Sequence, residues 1–379
     1  MPIPTTAAIA RPGADTFSWE TVLLDEPGPD EVLVRLVATG LCHTDLSVLA
    51  GRLPTPLPAI LGHEGAGIVE AVGPGTPHLQ PGDRVVLSFN SCGRCPRCRI
   101  GQPTRCDTYF PRNFGAARPD GSSPARTADG TPVGALFFGQ SSLARHAVVS
   151  AHSVVRVQPR DDRELALLAP VGCGIQTGTG AVLNLLQPGP GDTLAVFGAG
   201  AVGLSAVMAA RLSTTATVIA ADRVRSRLDL AAELGATHTI DTGTEDLGKR
   251  LADITGGRGV TYVVETTGVP ALLELAATAI AAYGTVAVVG APAAGSRACF
   301  DVNALIDGRT IRGVTEGGSD RITFIPALID LFRQGRLPYD RFVELYPVQR
   351  LDQAVDDARS GRTIKPVIVF DDEPSEANR

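Results

Sequence analysis

Seven cysteines stand at positions 42, 92, 95, 98, 106, 173 and 299, and four of them crowd into one short stretch. Cys92, Cys95, Cys98 and Cys106 follow the spacing C-x2-C-x2-C-x7-C. Four thiolates so placed can surround one ion as a closed tetrahedron, the habit of structural zinc. A lobe this small cannot hold its own hydrophobic core, so metal binding would supply its folding energy. Arg94, Arg97, Arg99 and Arg105 lie between and beside the four thiols and are expected to offset their charge. An iron–sulfur cluster and a set of reactive disulfides are the competing readings. The bacterial ferredoxin run closes its cysteine series with a shorter gap and a following Pro, and Cys106 has neither feature. Cys299 stands apart and reads as a small buried hydrophobe.

The second group of chemically suggestive residues is glycine. FGAGAVG places Gly198, Gly200 and Gly203 in the order G-x-G-x-x-G, after an apolar run and before a helical one. Glycines there allow a tight turn and close approach of backbone to a pyrophosphate, which then meets the amides and positive dipole end of the helix opening near Val202. Asp222 ends the next apolar strand at the distance expected of a carboxylate that accepts the adenosine ribose hydroxyls. Such a carboxylate repels a 2′-phosphate, so NAD is favoured over NADP. Arg223 beside it pulls the other way, because Arg can host a 2′-phosphate.

Elements must position these groups. EVLVRLV (31–37), GIVEAV (67–72) and RVVL (84–87) read as strands bounded by Gly and Pro, so the first part of the chain is β-rich. Residues 112–134 read as a long loop or lobe. From about Ile175 the texture changes to strand–helix alternation. The strands are LAVF (194–197), TVIAAD (217–222), a short one near 238–240, TYVVETTG (261–268) and TVAVVG (285–290), the last carrying Val289 as a candidate cofactor contact. Helices are expected over 202–212 and 225–234. Such alternation predicts a doubly wound parallel sheet. After about Gly313 it stops, and helices at 324–334 and 351–359 lead to a strand, PVIVF (366–370). The acidic tail DDEPSEANR is expected to be disordered.

With 379 residues the chain predicts two domains. Its 44% hydrophobic and 20% charged content is that of an ordinary globular enzyme, and a net charge of −6 argues against a nucleic-acid surface. The N-terminal segment lacks a basic start followed by an apolar run, so no secretory signal is evident and the cytoplasm is the expected compartment. The uncharged run Leu275–Ser296 contains Gly284 and Gly290 and reads as a helix end, a turn and a buried strand, not a membrane span.

Three further segments, GLCHTD (40–45), GHEGAGIVE (62–70) and VGCGIQTGTG (171–180), combine with the cysteine cluster and the glycine turn. Together they resemble the zinc-dependent medium-chain alcohol dehydrogenase family, from about residue 5 to 370. The resemblance implies an α/β chain: a GroES-like β-rich catalytic domain (1–174 and 314–379) with a Rossmann NAD-binding domain (175–313) inserted. It implies two zinc ions, one in the cysteine cluster and a reactive one on Cys42, His63 and Cys173, with a fourth position open to water or substrate. In this pattern Asp45 orients His63, and Glu64 sits near the metal to assist ligand exchange, unless it is spent in a salt bridge. Thr44 passes on the alcohol proton. Ser47 stands where many relatives have a histidine that finishes the relay; serine is not a base at pH 7, so water is expected to take that step. His43 and Lys365 match positions that contact the pyrophosphate, Arg227 the ribose, and Thr177 the nicotinamide carboxamide.

VLSFNSCGRC (86–95), FFGQSSLARHAVV (137–149) and IRGVTEGGSD (311–320) resemble the aryl- or benzyl-alcohol branch, with Glu316 where liver-type enzymes are apolar. The implied substrates are primary aromatic or allylic alcohols and their aldehydes, in a channel with Leu53, Phe89, Leu136 and Phe137 as candidate lining. A glutathione-adduct formaldehyde, aliphatic or polyol dehydrogenase is the alternative within the family; polyol enzymes often use Glu as a ligand, and Cys173 argues against that. A non-catalytic zinc- and nucleotide-binding protein would lack the open site. Homodimers or homotetramers are the expected assemblies, through residues 285–312.

Overall fold

The computed structural model describes residues 1–370; the acidic tail expected to be disordered lies outside the described residues. Two compact units divide the chain. The first comprises Met1–Cys173, Asp320–Pro326 and Phe342 onward; the second comprises Gly174–Ser319 and Ala327–Arg341.

The first unit is built on two sheets. A seven-stranded sheet has Glu31–Gly40 at its centre, paired antiparallel with Gly65–Val72, with His146–Ser150 and with the C-terminal strand Lys365–Val369. Val32, Val34 and Leu36 on the central strand are buried, and alternate residues Leu33 and Val37 are buried too, so the strand is apolar on both faces. The N-terminal strands Ile3–Ala10 and Ser18–Leu24 pair in a second, five-stranded sheet. That sheet also takes Ala125–Thr127 and Pro132–Val133, so the segment expected as a long loop contributes two short strands, and its first residues end the helix Tyr109–Phe114. The loop composition hid strands too short to show a period.

The second unit is a six-stranded parallel sheet in the order His238–Asp241, Thr217–Asp222, Thr193–Phe197, Val260–Glu265, Ile280–Val288, Thr310–Gly313. The order reverses beside Thr193–Phe197, the point at which doubly wound sheets bind ligands. Glycine permits the close packing here. A Cβ on Gly203 would meet the Gly198 carbonyl oxygen at 1.8 Å, and one on Gly178 would meet the Val202 carbonyl oxygen at 2.0 Å. Pro270–Ala279 followed by Ile280–Val288 accounts for the uncharged run, and among the described residues no single helix is long and apolar enough to cross a membrane.

The second boundary falls later than the expected 313/314. Residues 314–319 belong to the nucleotide-type unit because Gln176 and Thr177 hydrogen-bond to the Glu316 carboxylate, and Gly317 packs so close to Gly180 that a Cβ on the latter would meet its carbonyl oxygen at 2.4 Å. The helix Arg321–Arg333 carries Pro326 in its interior, and the division between units falls just behind that proline. Cys299 also differs from expectation: it is exposed, in a segment after Ile280–Val288 that forms no regular element.

Candidate active site

Three strand and helix ends bring distant residues to one point. Cys42 caps the helix His43–Leu49, directly after the central strand Glu31–Gly40. His63 and Glu64 immediately precede the paired strand Gly65–Val72, and Cys173 follows a turn of 3-10 helix, Ala169–Gly172. Ser88 Oγ donates to the Gly172 carbonyl at 2.7 Å and anchors that turn. Cys42, His63, Glu64 and Cys173 each offer a donor atom, and these atoms lie within 4.8 Å of one another.

Asp45, fully buried, ties the pieces together. Its carboxylate accepts the Cys42 amide, the Gly62 amide and the His63 ring Nδ1, each at 3.0 Å. The imidazole therefore presents Nε2 to the two sulfurs, and that buried nitrogen has no hydrogen-bond partner. A buried polar nitrogen without a partner is costly, and a metal ion at the sulfurs would satisfy it. Phe138 stacks on the same ring at 4.6 Å and Phe137 meets its edge at 5.5 Å. Gln140 bonds the Gly65 amide and the His63 carbonyl, each at 3.0 Å.

The electrostatics suit a cation. A hydrogen bond from Cys173 holds the Cys42 thiol well below its usual range; burial opposes this, and the charges of Lys365 and His63 assist. Burial disfavours a charged His63, but Asp45 and Cys42 outweigh it and raise its pKa well above the ordinary value. Burial lifts Glu64 to about 7, against the pull of Lys365.

Lys365 departs from its expected place on a pyrophosphate. It is buried, and its ammonium donates to both Glu64 oxygens at 2.9 and 3.0 Å and to the Leu41 carbonyl at 3.3 Å. The antiparallel pairing of its strand with Glu31–Gly40 brings it there. Glu64 is thus both salt-bridged and within reach of the thiols, the two readings of it at once. Gly40 makes room: a Cβ there would meet a Glu64 carboxylate oxygen at 2.0 Å. Thr44 is half-buried with its hydroxyl 3.8 Å from Cys42 Sγ, Ser47 is buried, and His43 is exposed.

The second donor cluster is local. Cys92, Cys95, Cys98 and Cys106 hold their sulfurs within 4.8 Å of one another, and all are free thiols. Backbone amides point inward: Cys92 N–H donates to Cys106 Sγ and Cys95 N–H to Cys92 Sγ, both at 3.3 Å. Burial would raise the Cys92 thiol, but such amides outweigh it and lower it to about 6; burial and neighbouring thiols push Cys98 up to about 12. Sulfurs this close fit one ion better than a multi-iron cluster.

In the other unit, Gly198 adopts φ +93°, and Ala201–Leu212 opens directly after Gly200. A Cβ on Gly200 would meet nothing within 4 Å, so open space lies at the helix start where a phosphate would rest. Asp222 accepts the Ala199 amide at 2.7 Å and the Val224 amide at 2.9 Å, which aims its carboxylate at the glycine turn. Val202, Val289 and Arg227 are half-buried and Arg223 is exposed. Thr177 is buried and donates to Glu316, a partner its expected role did not include.

Of the expected channel residues, Phe89, Leu136 and Phe137 are core, and Leu53 is partly buried against it. The sequence reading missed an aromatic series: Phe110, exposed, stacks on Phe114 at 4.8 Å, and Phe114 meets Phe138 at 5.1 Å beside His63. Its signal was the i, i+4 pair in YFPRNF.

A doubly wound parallel sheet whose glycine turn opens a helix in one unit, and a cluster of two thiols, an imidazole and a carboxylate in the other, are the features of a metal-dependent, dinucleotide-linked enzyme. Residues 28–159 match the alcohol dehydrogenase GroES-like domain, and residues 201–333 match the zinc-binding dehydrogenase domain. The chain is 43% identical over 370 residues to geraniol dehydrogenase of Castellaniella defragrans, covering 97% of this chain and 98% of that protein. A solved alcohol dehydrogenase zinc-binding domain protein from Burkholderia ambifaria shares 49% identity and a TM-score of 0.93, over 98% of this chain and all of that one. Benzyl alcohol dehydrogenase from Acinetobacter calcoaceticus shares 44% identity and a TM-score of 0.91, over 97% of this chain and 100% of its own. The chain belongs to the zinc-dependent medium-chain alcohol dehydrogenase family.

Proposed function

We propose that this chain is an NAD-linked dehydrogenase carrying two zinc ions, which interconverts primary aromatic or allylic alcohols and their aldehydes. The observation that carries the reading is the partnerless Nε2 of His63 among the thiols of Cys42 and Cys173. Two sulfurs and one nitrogen are a catalytic zinc set with a fourth position open. When bound, zinc supplies Lewis acidity to the alcohol oxygen and the dinucleotide supplies a hydride acceptor.

The chain's own residues then have separable tasks. Asp45 fixes the tautomer and direction of His63. Thr44, beside Cys42, receives the alcohol proton at its hydroxyl oxygen and hands on its own. Ser47 is no base, so water completes that transfer. Glu64, held by Lys365, can enter when ligands exchange. Gly200 leaves room for the pyrophosphate, Gly198 makes the turn at φ +93° and Gly203 lets the helix pack on it, and Asp222 favours NAD through the ribose hydroxyls.

The substrate class is supported by the two relatives, since geraniol is an allylic alcohol and benzyl alcohol an aromatic one. The series Phe110, Phe114, Phe138 offers planar apolar surface near His63, suited to an unsaturated or aromatic group. A homodimer or homotetramer is supported by exposed Tyr283, Val302 and Ile306 near Thr310–Gly313, the outermost strand of the parallel sheet. Seven free cysteines fit the reducing cytoplasm.

The test is a panel of aromatic, allylic and short aliphatic primary alcohols with NAD and with NADP. The expected result is higher kcat/KM for benzylic and allylic alcohols with NAD. Comparable or better use of short aliphatic alcohols would defeat the substrate reading, and a strong NADP preference would defeat the role of Asp222.

A further inference from the structure

We propose that Arg321 is the buried counter-charge of the four-cysteine lobe and sets how tightly the lobe keeps its zinc. The proposal rests on the zinc reading of Cys92, Cys95, Cys98 and Cys106.

Four thiolates around a divalent ion leave an anionic centre. Its partly buried sulfurs need compensation that water supplies only in part. Arg94, Arg97, Arg99 and Arg105, the neighbours in sequence, are all exposed. A charge in water is screened, and its attraction is weaker by roughly fourfold than one acting through protein.

Arg321 comes from a distant part of the chain and is only 5% exposed. Its guanidinium carbon lies 4.8 Å over the Phe89 ring, and Nη2 donates to Ser91 Oγ at 3.2 Å. Ser91 directly precedes Cys92. The same Phe89 ring lies 6.0 Å from Tyr109, whose amide donates to the Cys106 carbonyl at 2.9 Å. The cation is therefore bounded by the residue before the first thiol and by a ring contact to the segment after the last.

Its Nε is buried with no hydrogen-bond partner. A buried guanidinium in that state is unfavourable unless a negative charge lies near. Burial pulls Arg321 down to about 10, and the groups whose negative charge, when ionised, opposes the pull are Asp320, Cys98, Tyr109 and Cys106. Two of those four are lobe thiols. The buried cation lacks a full partner set, and the anionic lobe lacks a buried cation among its own neighbours; each supplies what the other needs.

The test follows zinc release from the purified holoenzyme to a chromophoric chelator. In Arg321→Gln, one of two zincs should leave about tenfold faster or more than in the wild type, while the other leaves at the wild-type rate. Arg321→Lys, which keeps the charge, should restore most of the retention, and the exposed Arg97→Gln should change nothing. Release of both zincs from Arg321→Gln at wild-type rates overturns the proposal, as does equal loss in the Lys and Gln variants, which would assign the effect to packing on Phe89. Should Arg321→Gln fail to fold, the wild type still decides. Buried compensation predicts a lobe release rate nearly independent of salt, whereas a steep rise with salt assigns the balance to the exposed arginines and overturns the proposal. A wild type that binds no zinc at the four cysteines refutes the zinc reading itself, a separate outcome.

Discussion

The two metal-type clusters solve the same problem in opposite ways. The four-cysteine lobe is contiguous, partly exposed, and oriented largely by its own backbone amides. The Cys42–His63–Cys173 site is assembled from three separated segments, with His63 and Asp45 buried and the central strand fixing where the ends meet. A lobe that closes all four positions with sulfur can only stabilise, whereas a site with three ligands and a buried orienting shell keeps one position for chemistry. The proposed open site is held by what lies behind its donor residues: Asp45 under His63, Gln140 on the adjoining backbone, and Lys365 on Glu64.

The comparison can be broken by changes that should affect one cluster and spare the other. His63→Ala has the largest expected effect, a loss in kcat of about a thousandfold or more, because several kcal/mol of transition-state stabilisation go with the metal. Metal analysis should find the lobe zinc still present, and unchanged turnover would contradict the open-site reading. Cys106→Ser should do the reverse: loss of the lobe zinc and a melting temperature lower by about 10 °C or more, with kcat per folded molecule nearly kept. A melting curve that does not move would remove the structural role.

Asp45→Asn should cost about 10- to 100-fold in open-site zinc affinity or activity, read by chelator competition and steady-state kinetics, because the His63 ring loses its carboxylate charge and the new NH2 group faces a backbone N–H that Asp45 accepts. Wild-type affinity in that variant would show that the hydrogen bond at Nδ1 is idle. The smallest effect belongs to Ser47→His, which should lower the pH at which kcat/KM peaks by supplying the base that serine lacks. An identical pH profile would mean that the last proton step does not limit turnover.

Legibility divides along the same line. The cysteine cluster was readable because its four thiols are close in sequence, and the fold keeps their sulfurs within 4.8 Å of one another. The parallel sheet was readable because TVIAAD and its neighbours carry uninterrupted apolar runs between glycine turns, and Thr217–Asp222 and Arg225–Leu234 form over the expected residues. The proposed open-site ligands were reached only through family motifs, since no local spacing joins residues 42, 63 and 173. What escaped was long-range and electrostatic. Lys365 meets Glu64 because of strand pairing, and Arg321 reaches Ser91 through the fold, so neither partner could be read from neighbours in sequence. Phe89 and Phe137 looked like channel residues for the same reason: an apolar residue in a β segment shows no sign of whether it faces a core or a cavity. Both clusters take a buried cation from the last sixty or so residues of the chain, a symmetry that composition conceals.

The proposal places one open and one closed metal site in a single chain. Exchange of both zincs for cobalt, followed by titration with imidazole, tests it most directly, because an added ligand can perturb the electronic spectrum only of an ion with an accessible position. One of two cobalt ions should respond, the response should disappear in His63→Ala, and it should persist in Cys106→Ser. A response from both ions, from neither, or one that survives in His63→Ala would contradict it.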